Sequence, residues 1–181
     1  GSFGLKCLPG GNTGVQMGGW FRKEINSADD LKGLKMRIPG LGGDVMAKMG
    51  ASPVSIPGGQ IYENLISGAI DATEWAGPWN DLALGFYKVA KYYYYPGFHE
   101  PGTALSVGIN LQVWESLSAD YQAIFSKATA AENTVSRAEF NAQNADALNT
   151  LRQKHNVDLR RFTDDVLKAV GFAGVRSGRD Y

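Results

Sequence analysis

Arg37 is the first residue whose type and position suggest chemistry. It lies in residues 34–38, an alternating stretch that predicts a strand, just before Pro39 and Gly40. In open α/β sheets, ligands bind at the carboxyl edge of the strands. A guanidinium at that edge presents a fork of donors that matches a carboxylate. Arg37 is therefore a candidate anion-binding residue, and the alternative is a surface arginine paired with a nearby acid.

Carboxylate and amide oxygens form a second candidate group. Glu74 lies in the extended residues 72–75 and is expected at the same sheet edge as Arg37. Opposite charges there favour either an ion pair or a site that takes a metal together with an anion. Oxygen donors suit Na⁺ or Ca²⁺ better than Zn²⁺, and the candidates are Gln16, Glu74 and Glu100. The alternatives are that these acids are ordinary, partly exposed side chains, or that Glu74 and Glu100 are an acid and base pair for hydrolysis.

Charge and loop composition argue against nucleic-acid and nucleotide partners. The 181 residues carry 18 Lys+Arg and 18 Asp+Glu, so the basic surface that binds a phosphate backbone is not expected. Residues 40–45 begin like a dinucleotide-binding loop but have valine where the third glycine should stand. The four consecutive tyrosines at 92–95 are best explained as a strand packed in a core. No nucleic-acid partner is predicted.

Two strand-helix-strand units should position these side chains. Their short connections predict a parallel sheet covered by helices, that is, an α/β fold. The predicted strands are residues 16–21, 34–38, 53–56, 72–75, 92–95 and 103–110, and the predicted helices are 44–49, 60–70 and 80–91. The glycine-rich residues 1–24 are otherwise expected to form loops and turns.

The last third of the chain predicts one long helix. Apolar residues recur there at steps of three and four between Tyr121 and Leu151, and neither Gly nor Pro occurs before Gly171. With Ser118 as the N-cap, the helix is expected to span residues 119–155, about 55 Å. A helix of that length either spans two lobes or docks on another chain. Residues 163–170 predict a final short helix, followed by a loose tail.

Four separated motifs, taken in order, resemble the solute-binding proteins of TRAP transporters, the tripartite ATP-independent periplasmic systems. The resemblance is closest to the branch that binds 2-oxo acids or lactate with a cation, and it extends from about residue 11 to residue 171. The motifs are GNTGVQMGGWF at 11–21, LKMRIPG at 34–40, DATEW at 71–75 and YPGFHEPG at 95–102.

The resemblance implies a role for each motif residue. Arg37 would form a salt bridge with the ligand carboxylate. Gln16, Glu74, Trp75 (through its carbonyl) and Glu100 would surround a Na⁺ or Ca²⁺ ion, with Gln16 and Trp75 also next to the ligand. The cation would bridge protein oxygens and the ligand, which explains how carboxylates could lie beside an anion.

The resemblance also implies the architecture. We expect a lobe of the periplasmic-binding-protein type, with a parallel or mixed sheet flanked by helices, and the long C-terminal helix. Family members are longer than this chain, so most of the first lobe is expected to be missing here. Residues 11–73 and 113–181 would form the second lobe, and residues 74–112 a returning segment of the first.

Three hypotheses about function follow. The first is a non-enzymatic, periplasmic solute-binding subunit that captures a small monocarboxylate, such as pyruvate or lactate, for the TRAP membrane subunits; its signal peptide is absent from this sequence. The second is a metal-dependent hydrolase or lyase that uses Glu74 and Glu100. The third is an assembly module, with the long helix forming a homodimer.

Overall fold

The computed structural model describes residues 3–177; residues 1, 2 and 178–181, including the end of the segment assigned to the second lobe, lie outside the described residues. The strands in this range are β1 Leu5–Val15, β2 Gly19–Phe21, β3 Lys35–Arg37, β4 Ser52–Val54, β5 Ala72–Thr73, β6 Tyr92–Tyr95, β7 Gly102–Asn110 and β8 Asp158–Arg161. The α-helices are α1 Gly40–Lys48, α2 Ile61–Ser67, α3 Pro78–Leu84, α4 Leu111–Ser116, α5 Ala119–Gln153 and α6 Asp164–Ser177. None of the helices in this range has the length and apolar character needed to cross a membrane.

The strands form one large sheet and one ribbon. The large sheet has six strands in the order β4-β3-β5-β2-β6-β8, and the ribbon pairs β1 with β7. Strands β4, β3 and β5 are parallel, as the two strand-helix-strand units predict. Strand β2 runs antiparallel to both β5 and β6, so the sheet is mixed. The expected α/β fold with a helix-flanked sheet is confirmed.

Two apolar cores lie on opposite faces of the six-stranded sheet, because successive strand residues point to opposite faces. On one face Trp20 of β2 stacks on Tyr93 of β6, with ring centroids 4.0 Å apart, and on the other Phe21 meets Tyr94 edge-on. Helices α1 and α6 cover the Phe21 face, whereas α2 and Leu151 of α5 cover the Trp20 face. The interpretation of the tyrosine run as core packing therefore holds.

The long helix α5 packs along the ribbon. It has 35 residues, it begins after the Ser118 cap as predicted, and it ends two residues before the expected 155. The side of α5 that faces β1 is polar: Ser136 Oγ accepts from the backbone NH of Asn12, and Asn144 Nδ2 donates to the carbonyl of Thr13. The apolar stripe that predicted the helix is mostly exposed to solvent, and only its C-terminal end reaches the core.

Strand β1 corrects the prediction that residues 1–24 form loops and turns. The eleven-residue strand β1 lies in this segment and pairs antiparallel with β7, with register shifts between Pro9 and Gly11 and between Asn12 and Val15. Glycine has low strand propensity, but at Gly10 and Gly11 it leaves room for the side chains of Val107 and Leu105, which would lie within about 3 Å of a Cβ. The extended conformation of β1 therefore depends on its pairing with β7, which is distant in the sequence.

Three further elements differ from the prediction. The helix expected over residues 80–91 ends at Leu84, because Gly85 takes a left-handed conformation, and a short 3-10 turn follows. Strand β8 was not predicted; it is highly charged, and it pairs parallel with β6. Helix α6 continues through Gly171, where a loose tail was expected.

A buried carboxylate fixes the junction between α3 and the sheet. Asp81 is 1% exposed, and its Oδ2 accepts from Trp20 Nε1 at 3.0 Å and from the Tyr93 hydroxyl at 2.7 Å. Its Oδ1 accepts from the backbone NH of Ala76 at 3.3 Å. Burial raises the pKa of Asp81 to about 6, although the hydrogen bonds from Tyr93 and Trp20 oppose that rise.

The raised pKa of Asp81 predicts a pH-dependent stability. The folded-state pKa of about 6 is above the ordinary value of 3.8, so the folded protein holds this proton more tightly than the unfolded chain. The stabilisation is complete below the unfolded pKa and is lost as pH rises through about 6; the shift corresponds to about 3 kcal/mol. Part of this stabilisation is already lost at about pH 4, so urea unfolding should show the wild type losing about 2 kcal/mol relative to Asp81→Asn between about pH 4 and pH 7.

The matched control is Asp146→Asn, since Asp146 is exposed on α5. We expect the difference between wild type and this control to stay constant over the same range. A constant difference for Asp81→Asn as well would contradict the assigned role of burial.

Candidate functional site

Three chain segments cross side by side between the ribbon and the six-stranded sheet. These crossing segments are residues 16–18, which join β1 to β2, residues 74–77, which follow β5, and residues 96–101, which join β6 to β7. Backbone hydrogen bonds tie them together: the NH of Gln16 donates to the carbonyl of Pro101 at 3.0 Å, and the NH of Met17 donates to that of Ala76 at 3.1 Å. Each crossing segment carries one of the predicted oxygen donors.

Arg37 lies at the carboxyl end of β3, between the parallel neighbours β4 and β5, as the sequence predicted. Its Nε donates to the carbonyl of Ile56 at 3.2 Å, and its Nη1 donates to the Glu74 carboxylate at 2.5 Å and the Glu74 carbonyl at 3.2 Å. The guanidinium carbon also lies 5.0 Å from the Trp75 ring centroid. Within the described residues Nη2 makes no hydrogen bond, so one fork nitrogen is left to bind a ligand.

The Glu74 carboxylate is held from two sides. Its Oε1 accepts from Arg37, and its Oε2 lies 3.2 Å from Nε2 of His99. The Glu74 side chain is 4% exposed, and so is the His99 side chain. The ion pair that sequence analysis gave as an alternative is therefore present, and it lies inside the predicted cleft.

Gln16 and Glu100 are linked through a threonine. Gln16 Nε2 donates to Thr103 Oγ1, and this hydroxyl donates to Glu100 Oε1 at 2.9 Å. The amide of Gln16 is thereby oriented, and its Oε1 is buried without a hydrogen-bond partner anywhere in residues 3–177. A carbonyl oxygen that is buried without a donor has lost its hydrogen bonds to water, and a bound ligand or cation would compensate for that loss.

The donor atoms fit a bound cation. Glu74, His99 and Glu100 each offer a ligand atom, and these atoms lie within 4.8 Å of one another. The available oxygens are carboxylate and amide, the type that Na⁺ and Ca²⁺ prefer. The two carboxylates supply the negative charge that a divalent ion requires, and the unpartnered Oε1 of Gln16 supplies a neutral oxygen.

Trp75 borders this cluster through its indole ring. The ring lies over Gly58, where a Cβ would be only 2.4 Å from the indole, so a side chain at position 58 would displace it. The ring also lies over the Arg37 guanidinium. The expected use of the Trp75 carbonyl as a cation ligand stays a prediction.

Sequence reasoning missed two residues of the cluster, His99 and Thr103. The signal for His99 was its position directly before Glu100 in the fourth motif. Thr103 gave no signal, because its role depends on the distance between Gln16 and Glu100, which lie far apart in the sequence.

Comparisons with known proteins identify relatives over most of the chain. The family model for bacterial extracellular solute-binding protein, family 7, matches residues 3–173. A monocarboxylate 2-oxoacid-binding periplasmic protein of Nostoc sp. is 52% identical over 150 residues, which are 83% of this chain and 41% of that protein.

Two solved structures are similar over nearly the whole chain. A TRAP periplasmic solute-binding protein of Colwellia psychrerythraea with bound calcium and pyruvate is 45% identical, with a TM-score of 0.94 over 99% of this chain and 55% of that one. Its counterpart from Pseudoalteromonas atlantica, with bound sodium and pyruvate, is also 45% identical, with a TM-score of 0.92 over 99% and 54%. The chain thus spans about half the length of these relatives. Since the family model covers nearly all of the described residues, the chain belongs to family 7 of the bacterial extracellular solute-binding proteins.

Proposed function

We propose that this chain supplies the greater part of a binding site for a small monocarboxylate and a cation. The ligand is a 2-oxo acid such as pyruvate, or lactate, and the cation is Na⁺ or Ca²⁺. The observation that carries the proposal is the convergence of one guanidinium with three groups of oxygen donors in one largely buried cluster. The protein would be a periplasmic subunit that delivers its ligand to TRAP membrane subunits.

Arg37 binds the ligand carboxylate in this proposal. Ile56, Glu74 and Trp75 hold its guanidinium, so little side-chain freedom remains to be lost on binding. The free Nη2 extends from the same rigid plane, and a carboxylate there gains a charge-assisted hydrogen bond. Gln16 and Trp75 would also contact the ligand.

The cation lets carboxylates and an anionic ligand share the site. Gln16, Glu74 and Glu100, with the Trp75 carbonyl, would hold the ion from the three crossing segments. Without it, a ligand carboxylate would face two acids with Arg37 as its only positive partner in the cluster. The relatives from Colwellia and Pseudoalteromonas, which hold pyruvate with calcium or sodium, support this pairing of ligand and ion.

The site geometry opposes the hydrolase or lyase hypothesis. A general acid or base needs a carboxyl group that can gain and lose a proton. Both oxygens of Glu74 are instead engaged by Arg37 and His99, so neither oxygen is free to exchange a proton with a substrate. Membership of a family of solute-binding proteins supports binding over turnover.

The ligand site would lie at a hinge. We assign the six-stranded sheet to the second lobe and the ribbon of β1 and β7 to the first, so that residues 16–18 and 96–101 join the two. Compared with the boundaries expected from the sequence, this assignment moves residues 11–15 to the first lobe and residues 92–95 to the second. Strand β6, which falls within residues 74–112, pairs with β2 and β8 of the large sheet. Closure of the lobes over the ligand would be the signal to the membrane subunits.

Replacing Arg37 tests the ligand assignment. Isothermal titration of the chain with pyruvate in CaCl₂ should show about 30-fold or greater loss of affinity in Arg37→Ala, since a buried charge-assisted contact is removed. Arg37→Lys should also bind more weakly, because a lysine lacks the fork of donors. The control is Arg152→Ala, at an exposed position of α5. An unchanged pyruvate Kd in Arg37→Ala would contradict the assignment.

Replacing Glu100 tests the cation assignment. Glu100→Gln keeps the shape of the side chain but removes one charge from the donor set, so the Ca²⁺ affinity measured without carboxylate should fall about tenfold or more. Glu115→Gln makes the same change at an exposed position in α4 and should leave Ca²⁺ binding unaltered. Equal Ca²⁺ affinities for both variants would exclude Glu100 as a ligand.

We also propose that two copies associate through α5. The exposed stripe includes Tyr121, Ile124 and Val135, each about 60% exposed. Because these side chains lie at helical spacing along one face, a second copy of the same helix would cover them.

A charged substitution in the stripe tests this association. Val135→Glu should shift the sedimentation coefficient to that of a monomer, because an unpaired carboxylate would be buried in the contact. Thr134→Glu adds the same charge at the neighbouring exposed position and should leave the association intact. A wild-type chain that sediments as a monomer at all concentrations would refute the proposal.

A further inference from the structure

We propose that His99 is a positioning residue of the cation site, and that it acts by fixing the carboxylate of Glu74. The inference rests on the cation-binding part of the proposed function. It starts from the 3.2 Å contact between His99 Nε2 and Glu74 Oε2, which joins the crossing segment 96–101 to the crossing segment 74–77.

The contact determines how Glu74 is presented. Arg37 holds Oε1 and His99 holds Oε2, so the carboxylate is clamped between two donors on different parts of the fold. With both oxygens anchored, the plane of the carboxylate is set, and its remaining lone pairs are presented at a fixed angle. A carboxylate held in this way pays less conformational entropy when it coordinates an ion.

Among the described residues, the His99 ring makes no hydrogen bond other than the one to Glu74. Its Nδ1 is buried without a hydrogen-bond partner in this part of the chain, and Glu74 takes its one hydrogen bond. Since Glu74 Oε2 is an acceptor, the contact requires the proton on Nε2. A buried imidazole with an unpartnered nitrogen is a poor choice for packing alone.

Packing confines His99 between Phe98 and helix α1. The ring meets Phe98 edge-on, with centroids 5.2 Å apart, and a Cβ at Gly42 would lie 3.0 Å from the Cβ of His99. The absence of a side chain at Gly42 therefore lets the His99 backbone come close to α1. These contacts restrict the position of Nε2 relative to Glu74.

Two amide substitutions at position 99 test the proposal, because they differ mainly in reach. In His99→Asn, the amide nitrogen Nδ2 takes the position of the imidazole Nδ1 and does not extend as far as Glu74. In His99→Gln, the amide nitrogen Nε2 takes the position of the imidazole Nε2 and can donate to Glu74. Titration with CaCl₂ alone should give His99→Gln a Kd within about threefold of wild type, and His99→Asn a Kd raised about tenfold or more. Urea unfolding without calcium provides the stability control for both variants.

The outcomes separate this inference from the proposed function. Equal Ca²⁺ affinities for His99→Gln and His99→Asn overturn the positioning role: two unchanged values leave His99 without a role in binding, and two equally weak values indicate a direct ligand or a packing role. A wild-type chain that binds neither Ca²⁺ nor Na⁺ overturns the proposed cation site itself. Loss of Ca²⁺ affinity in His99→Asn alone, at unchanged unfolding free energy, supports the inference.

Discussion

The buried pair of Arg37 and Glu74 is the constraint on which the site depends. Removing two charges from water costs several kcal/mol per ion unless their remaining donors and acceptors are satisfied. Here the Ile56 and Glu74 carbonyls and the Trp75 ring support the guanidinium, while His99 supports the carboxylate. The parallel pairing of β3 with β5 places the two side chains at one sheet edge. The neighbouring segments therefore supply the hydrogen-bond partners that compensate for the burial of this pair.

Much of the fold could be predicted, because local patterns and tertiary packing agree along much of the chain. Strands β3, β6 and β7 and helix α5 follow from apolar periodicity and caps. Strands β1 and β8 could not be predicted in this way. The glycines of β1 and the charges of β8 are not typical of strands, and pairing with β7 and with β6, respectively, imposes the extended conformation. Helix α3 shows the opposite case, since a single left-handed glycine ends a helix that the apolar pattern would extend.

Residue chemistry and the four sequence motifs were enough to predict part of the candidate site. Arg37 and Glu74 could be placed at one edge by the topology of parallel strands. Oxygen-donor chemistry added Gln16 and Glu100 as candidates, and the resemblance to TRAP solute-binding proteins added the Trp75 carbonyl. The contributions of His99 and Thr103 depend on contacts between segments that are distant in the sequence, and no periodicity encodes such distances. The orientation of the Gln16 amide, which leaves its oxygen without a donor, is equally a property of the assembled crossing segments.

The unbroken course of α5 has a mechanical consequence. Its C-terminal end is anchored by Leu151 in the core that contains Trp20 and Tyr93, and the preceding length of the helix lies along β1. A helix of this length behaves as a stiff lever about 50 Å long, so a tilt of about 10° at one end moves the other end by roughly 9 Å. Any small rotation about the crossing segments is thereby amplified into a displacement large enough for a neighbouring molecule to sense far from the carboxylate.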